Sequence, residues 1–340
     1  MTQTYSYECK GCGGPTQFDP ESQNLKCEFC GTLTEFEKPN VDVEPHELEK
    51  GFEDCSTDWQ QEMRVIHCDS CGAESVLESK VKAQECPFCD SPQVSNTETE
   101  AGIKPDYLIP FKVSEKNAKE GFKKWIKSKF FAQGSAKNPE RVEHLKGVYV
   151  PFWLFDVDTT TNYKGRRGKV VRSRRNNKRR TRWYPVSGTY HKDLYNVSVC
   201  ASTQVKDMNL SEKKIDYKYE ELEGYDPAFL SGFVAERYEH DIESSWDKAK
   251  DKIKKILERG IKREIGGDKQ RVDKMDTQYR DPKYKHVLCP MWISNFKHNG
   301  KSYPFIVNGQ TGETEGKYPL SYPKVAGAVA AVAGILYVLL

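Results

Sequence analysis

Apolar positions along this chain follow three rhythms. In residues 1–100 they are short and sparse, set between turn residues: Phe18 and Leu25 flank the turn signals Asp19-Pro20 and Asn24, and a second short series runs Val76-Leu77 and then Val81. From Ser114, a helix-capping residue, Ala118, Phe122, Trp125, Ile126 and Phe130 recur at helical spacing with lysines opposite, which predicts an amphipathic helix buried against a sheet, with a membrane-surface helix as the alternative. Gly147–Asp158 then reads as an aromatic strand. A related phrase returns at His286–Phe296, the shared core being Pro-x-Trp-aliphatic at Pro151–Leu154 and Pro290–Ile293.

Two further helices are expected between these strand units. Pro227–Tyr238 places Phe229, Leu230, Phe233 and Val234 on one face, and Ile242–Ile265 places Trp246, Ala249, Ile253, Ile256, Leu257 and Ile261 on another, ended by Gly266-Gly267. After the second strand unit, Asn299-Gly300, Tyr303–Val307 and Asn308–Gly312 have the order of a hairpin. Val325–Leu340 is apolar except for Tyr337 and follows Lys317 and Lys324. Its sixteen residues reach about 24 Å as a helix, short of a hydrocarbon core of roughly 30 Å. The expectation is nevertheless a transmembrane anchor over 324–340 with the body on the cytoplasmic side of a bacterial inner membrane, lysines preceding the span.

Composition changes this picture through charge. The formal net charge is only +3, but residues 1–100 carry 7 basic and 21 acidic side chains, whereas Lys164–Arg182 holds eleven basic residues and no acid. The basic set is Lys164, Arg166, Arg167, Lys169, Arg172, Arg174, Arg175, Lys178, Arg179, Arg180 and Arg182. Asn176-Asn177 at its centre predicts a β-hairpin with cationic arms. A solvated loop, a surface for anionic lipid and a surface for nucleic acid are the three readings of this segment.

Cysteine spacing carries the clearest chemistry. Eight of eleven cysteines form four Cys-x-x-Cys pairs, Cys9/Cys12, Cys27/Cys30, Cys68/Cys71 and Cys86/Cys89, with fourteen residues between the pairs of each set. This is one small module, duplicated. Two thiolates three positions apart reach one metal from a tight turn, and a short hairpin spacer brings two turns together, so each set predicts a closed tetrahedral site. Two structural Zn2+ ions are expected, in preference to disulfides or a redox pair. His67 adjoins Cys68 but four cysteines complete that site. Cys55, Cys200 and Cys289 have no such spacing and read as small buried residues.

The expected fold class is α+β: zinc ribbons at 1–38 and 63–95, an acidic linker at 39–62, a body at 103–320 with two related β units, a helical pair and the basic hairpin 164–182, and the anchor. No phosphate loop, His-Glu-x-x-His, nucleophile elbow or dinucleotide fingerprint occurs, which favours a non-enzymatic protein. The acidic head, made more negative by four-thiolate centres, repels phosphate.

The duplicated ribbons, Gly147–Phe155, Phe229–Tyr238, Asn308–Gly312 and the apolar tail together resemble a family of bacterial membrane-anchored double-zinc-ribbon proteins, some labelled TFIIB-type zinc ribbon or replication-restart helicase-like. The resemblance implies an adaptor that brings SPFH-domain (flotillin or stomatin type) and phage-shock membrane-stress proteins to the inner membrane. A membrane-tethered nucleic-acid-binding protein is the alternative. Apart from the resemblance, the small-xxx-small pairs Gly327/Ala331 and Ala330/Gly334 offer a seat for a second membrane helix, and so hetero- or homo-oligomerisation through the span, with alanine-rich filler as the other reading.

Overall fold

Val148–Phe155 and Val287–Ile293 are buried along their whole length. Strands apolar on both faces occupy the middle of a sheet covered on both sides, and the architecture grows outward from this pair. The computed structural model of the chain describes residues 7–39, 41–53, 63–68, 70, 73–78, 83–86, 88, 91–94, 103–137, 145–172, 179–208, 216–299 and 301–339. Its elements are β1 (Thr16–Asp19), β2 (Asn24–Cys27), β3 (Leu33–Thr34), β4 (His46–Glu47), α1 (Leu48–Glu53), β5 (Met63–His67), β6 (Glu74–Glu78), β7 (Ala83–Glu85), β8 (Pro92–Val94), β9 (Tyr107–Leu108), α2 (Glu115–Ser128), β10 (Lys146–Arg172), β11 (Arg179–Cys200), α3 (Thr203–Asp207), β12 (Glu223–Gly224), β13 (Val234–Glu236), α4 (Ile242–Ile265), β14 (Lys269–His298), β15 (Lys301–Asn308), β16 (Thr314–Gly316) and α5 (Tyr322–Leu339).

Eleven strands form one sheet, with the central path β12-β9-β14-β10-β13-β6-β5; β11 joins β10, β15 and β4 join β14, and β16 joins β15. The two Pro-x-Trp phrases are neighbours in this sheet, paired antiparallel with Val148 opposite Met291 and Trp153 opposite His286. Alternate residues of β10 sort the two covers. Tyr149 faces a cluster with Phe111, Phe122 and Ile126 of the α2 side and Phe18 and Leu25 of the first ribbon. Val148, Val150, Phe152 and Leu154 face the opposite cluster, which contains Cys68, Ala73, Cys86 and Phe88 of the second cysteine module. The duplicated modules therefore cover opposite faces of the central strands.

Beyond Val157 the sheet narrows to an arm of β11, β10 and β14, whose strands are 22, 27 and 30 residues long. One face of the arm is roofed by α4, whose Ala249, Ile253, Leu257, Ile261 and Ile265 form a fully buried stripe. Asp241 caps this helix through Ser244 N–H at 2.8 Å, and Gly266 ends it at φ 64°, a left-handed value natural to glycine.

The expected α+β class is corrected by this architecture, which is mostly β. Of the expected helical pair only Ile242–Ile265 is helical. Pro227–Leu230 is a single 3-10 turn and Val234–Glu236 is β13. Gly232 at φ 85° interrupts the segment, and Val234 pairs in parallel with Val148, so sheet formation overrides the local helical pattern.

The expected transmembrane helix and its inner-membrane localisation are also corrected: among the described residues no helix is long and apolar enough to cross a membrane. The helix α5 starts at Tyr322, Pro323 and Lys324, so its first turn is not apolar. That start is tied to the body, with Lys324 Nζ donating to Phe130 O at 3.1 Å and Ser321 N to Phe131 O at 2.7 Å.

Candidate metal centre

The first ribbon brings its cysteines together by two equivalent turns on a short hairpin. In the first turn Cys9 N donates to Gly14 O at 2.8 Å and Gly13 N to Cys9 O at 2.8 Å; in the second, Cys27 N donates to Thr32 O at 2.9 Å and Gly31 N to Cys27 O at 3.0 Å. Gly13 and Gly31 close these turns at φ 72° and 73°. A Cβ at either would meet no atom within 4 Å, so backbone conformation and not space requires glycine there. The hairpin pairs Thr16 with Cys27 and Asp19 with Asn24, which sets one turn beside the other.

All four ligand sulfurs of Cys9, Cys12, Cys27 and Cys30 lie within 4.8 Å of one another. Cys9 Sγ is 3.5 Å from Cys30 Sγ, and Cys12 Sγ is 3.4 Å from Cys27 Sγ. A tetrahedron with bonds of about 2.3 Å has sulfur–sulfur edges of about 3.8 Å, so the cluster is close to the size that a zinc ion takes. The four sulfurs fit a four-coordinate metal ion.

The thiols are electrostatically uneven. Hydrogen bonding to the Thr32 hydroxyl, 3.1 Å away, and then to the Thr32 backbone brings the Cys30 thiol down to about 6. The Gly11 N–H, 3.4 Å from Cys9 Sγ, lowers Cys9. The Gly14 backbone pulls Cys12 down, but the Cys30 and Cys27 sulfurs and burial outweigh it and push the thiol up to about 12. A divalent cation supplies the charge that lets all four sulfurs ionise together.

The second module repeats the backbone signature. Cys68 N donates to Ala73 O at 2.9 Å and Cys86 N to Ser91 O at 2.8 Å, the same five-residue reach as in the first ribbon. Phe88 N donates to Cys86 Sγ at 3.4 Å, matching Gly11 on Cys9. Cys71 and Cys89 lie outside the described residues, as does Cys55, so one four-cysteine cluster is established. His67 is exposed, with Nδ1 3.9 Å from Glu74 Oε1. Cys200 and Cys289 are buried.

Of the cationic set, Lys164, Arg166, Arg167, Lys169 and Arg172 lie on β10 and Arg179, Arg180 and Arg182 on β11, while Arg174, Arg175 and Lys178 fall outside the described residues. Two are engaged in the arm itself: Arg166 grips Asp273 through Nε and Nη2, each at 2.9 Å, and Arg167 Nε donates to Ile265 O at 2.8 Å.

Sequence reasoning missed Phe29. It sits inside the second turn of the first ribbon and is 77% exposed, its ring lying over Gly14, where a Cβ would come within 2.6 Å. Leu33 nearby is 51% exposed. Position alone did not reveal it, because Phe88 holds the equivalent place in the second module and is buried against the sheet. His46 and Asp106 were also not singled out. His46 Nε2 is 2.9 Å from Asp106 Oδ1, while Asp106 Oδ2 accepts from His286 N at 3.1 Å; this bridge ties β4 to β14.

The chain is 28% identical over 333 residues to the uncharacterized protein YdjG of Bacillus subtilis (strain 168), an alignment covering 97% of this chain and 94% of that one. No family model matches. No solved structure matches either.

Proposed function

We propose that the chain is a non-enzymatic scaffold that docks protein partners through zinc-loaded N-terminal ribbons, each module holding one structural Zn2+. The observation that carries the reading is the pairing of a closed four-cysteine cluster with an exposed aromatic knob at its turn. Four sulfurs fill a tetrahedral ion and leave no position for water or substrate, so the centre shapes a surface and performs no hydrolysis. Phe29 and Leu33 offer that surface an apolar contact, and buried aromatic anchors dominate protein interfaces. The second ion, bound by Cys68, Cys71, Cys86 and Cys89, is supported by the shared backbone signature. The family resemblance supports SPFH-domain or phage-shock proteins as the partners.

Purified zinc-loaded chain should bind an SPFH-domain or phage-shock protein from the same genome in titration calorimetry. Phe29→Ala should weaken that binding at least tenfold with zinc content unchanged. Failure to bind either class, or binding indifferent to Phe29→Ala, overturns the reading.

A further inference from the structure

The arm's free end is built differently from the rest of the sheet. β14 starts at Lys269, opposite Gly168, and the remaining pairs, Lys169 with Arg182 through Arg172 with Arg179, form a two-stranded ribbon. Asp268 closes the edge that β14 leaves, its Oδ2 accepting from Val170 N at 2.7 Å. Side chains alternate across such a ribbon. Arg172 and Arg179 therefore lie on one face, and Lys169, Arg180 and Arg182 on the other. All five are exposed, and none has an ion-pair partner among the described residues. The half-buried Val170, Val171 and Thr181 occupy the middle.

This charge is also remote from the acidic head. Arg172 is fifteen residues beyond Val157, about 50 Å at strand rise. The first ribbon docks beside Gly232 and Phe233, and Phe233 packs over Gly147. From Gly147 to Gly168 is about 70 Å along β10, many times the screening length of roughly 8 Å at physiological salt. The head's negative charge does not reach the tip.

Cations on both faces of a narrow ribbon distinguish among polyanions. A planar surface meets only one face at a time. The major groove of B-form DNA, about 12 Å wide, admits a two-stranded ribbon between two phosphate ridges, so both faces find phosphate at once. The geometry points to the distal ribbon, Lys169–Arg172 with Arg179–Arg182, as a binding element for B-form DNA that enters the major groove.

The test uses the full zinc-loaded chain and fluorescence anisotropy with a 30-base-pair DNA duplex. Log affinity should fall with log salt with a slope of about −4 to −5 for five phosphate contacts. Changing Lys169, Arg172, Arg179, Arg180 and Arg182 to Gln should weaken binding at least 100-fold at moderate salt. The milder R179Q/R180Q pair, one residue from each face, should cut the slope by about 2, and unchanged amide protection of α4 checks that the arm is intact. An affinity indifferent to the five substitutions overturns the proposal. So does preference for an A-form RNA duplex or for vesicles of phosphatidylglycerol, or self-association through the ribbon in place of duplex binding. Chelating the metal should leave duplex affinity unchanged, which separates this inference from the docking role of the head.

Discussion

Replacing Lys285 with methionine tests what holds the sheet at the point where body becomes arm. Lys285 Nζ lies 2.9 Å from Asp156 Oδ2, with side chains 6% and 14% exposed. The other carboxylate oxygen accepts from Asn196 N at 2.6 Å, and Asn196 holds φ 53°. Register shifts fall here on both sides of β10, between Phe155 and Val157 against β11 and between Asp156 and Asp158 against β14. Asp156 thus anchors a double bulge, a feature that bends and twists a sheet. Opposite charges about 4 Å apart interact by on the order of 4 kcal/mol at an effective dielectric near 20. Removing one partner of a buried pair strands the other charge and costs about 3–5 kcal/mol. K285M should therefore lower the urea-unfolding free energy by about 3–5 kcal/mol. The fully buried Trp153 gives the fluorescence readout. D156N keeps an acceptor for Asn196, and the double variant K285M/D156N should show a coupling energy of at least about 2 kcal/mol. A loss under about 1 kcal/mol for K285M, or additivity of the two changes, would refute the charge argument and leave packing as the cause of the bulge.

Two other outcomes follow from the site and the core. Chelation of the metal, or Cys27→Ser, should abolish hydrogen-exchange protection in β1 and β2 while α4 stays protected, because strands of four residues lack a core of their own and metal binding drives their folding; protection that survives in the metal-free chain contradicts this. His286 is fully buried, and burial holds its imidazole down to about 4 from an ordinary 6.5. Its folded value lies below the unfolded one, so its contribution is complete above pH 6.5 and is lost as pH falls through 4. Wild type minus H286L should therefore lose about 3 kcal/mol of relative stability across that window, measured by urea unfolding at each pH; a constant difference would show that the ring is not buried neutral.

Elements whose signal is chemical or cooperative over a few residues were readable in the chain. The first cysteine cluster follows from spacing because the metal geometry admits few alternatives. The helix α4 follows from its stripe at Ile253, Leu257 and Ile261, with Asp241 and Gly266 at its ends. The length of the strands was hidden by the composition of the face that α4 covers: beyond Val157 the inward residues of β10 are Thr159, Thr161, Tyr163 and Gly165, so burial there has little hydrophobic contrast. The roof supplies most of the apolar surface. Gly188 likewise lies where a Cβ would come within 2.8 Å of the Tyr163 hydroxyl, a close approach that sequence registers only as one more glycine. The Pro227–Tyr238 segment misled because its apolar residues suit either rhythm, and the partner that decides, Val148, is far away in sequence. The same limit applies to the two Pro-x-Trp phrases, whose kinship was visible and whose pairing was not.

The uninterrupted run of β14 from Lys269 to His298 has a mechanical consequence. Its far end is tied to Gln133 by His298 Nε2 at 2.8 Å from Gln133 Oε1, and Gln133 in turn donates to Leu320 O, just ahead of α5. A pull between the arm tip and α5 is directed along the strands, and the ladder from Lys146 to Gly168 is loaded in shear, many hydrogen bonds sharing the force. A pull that separates β11 from β10 at the tip opens pairs one after another, like a zip. The molecule is stiff against tension along its length and yields to peeling at its cationic end.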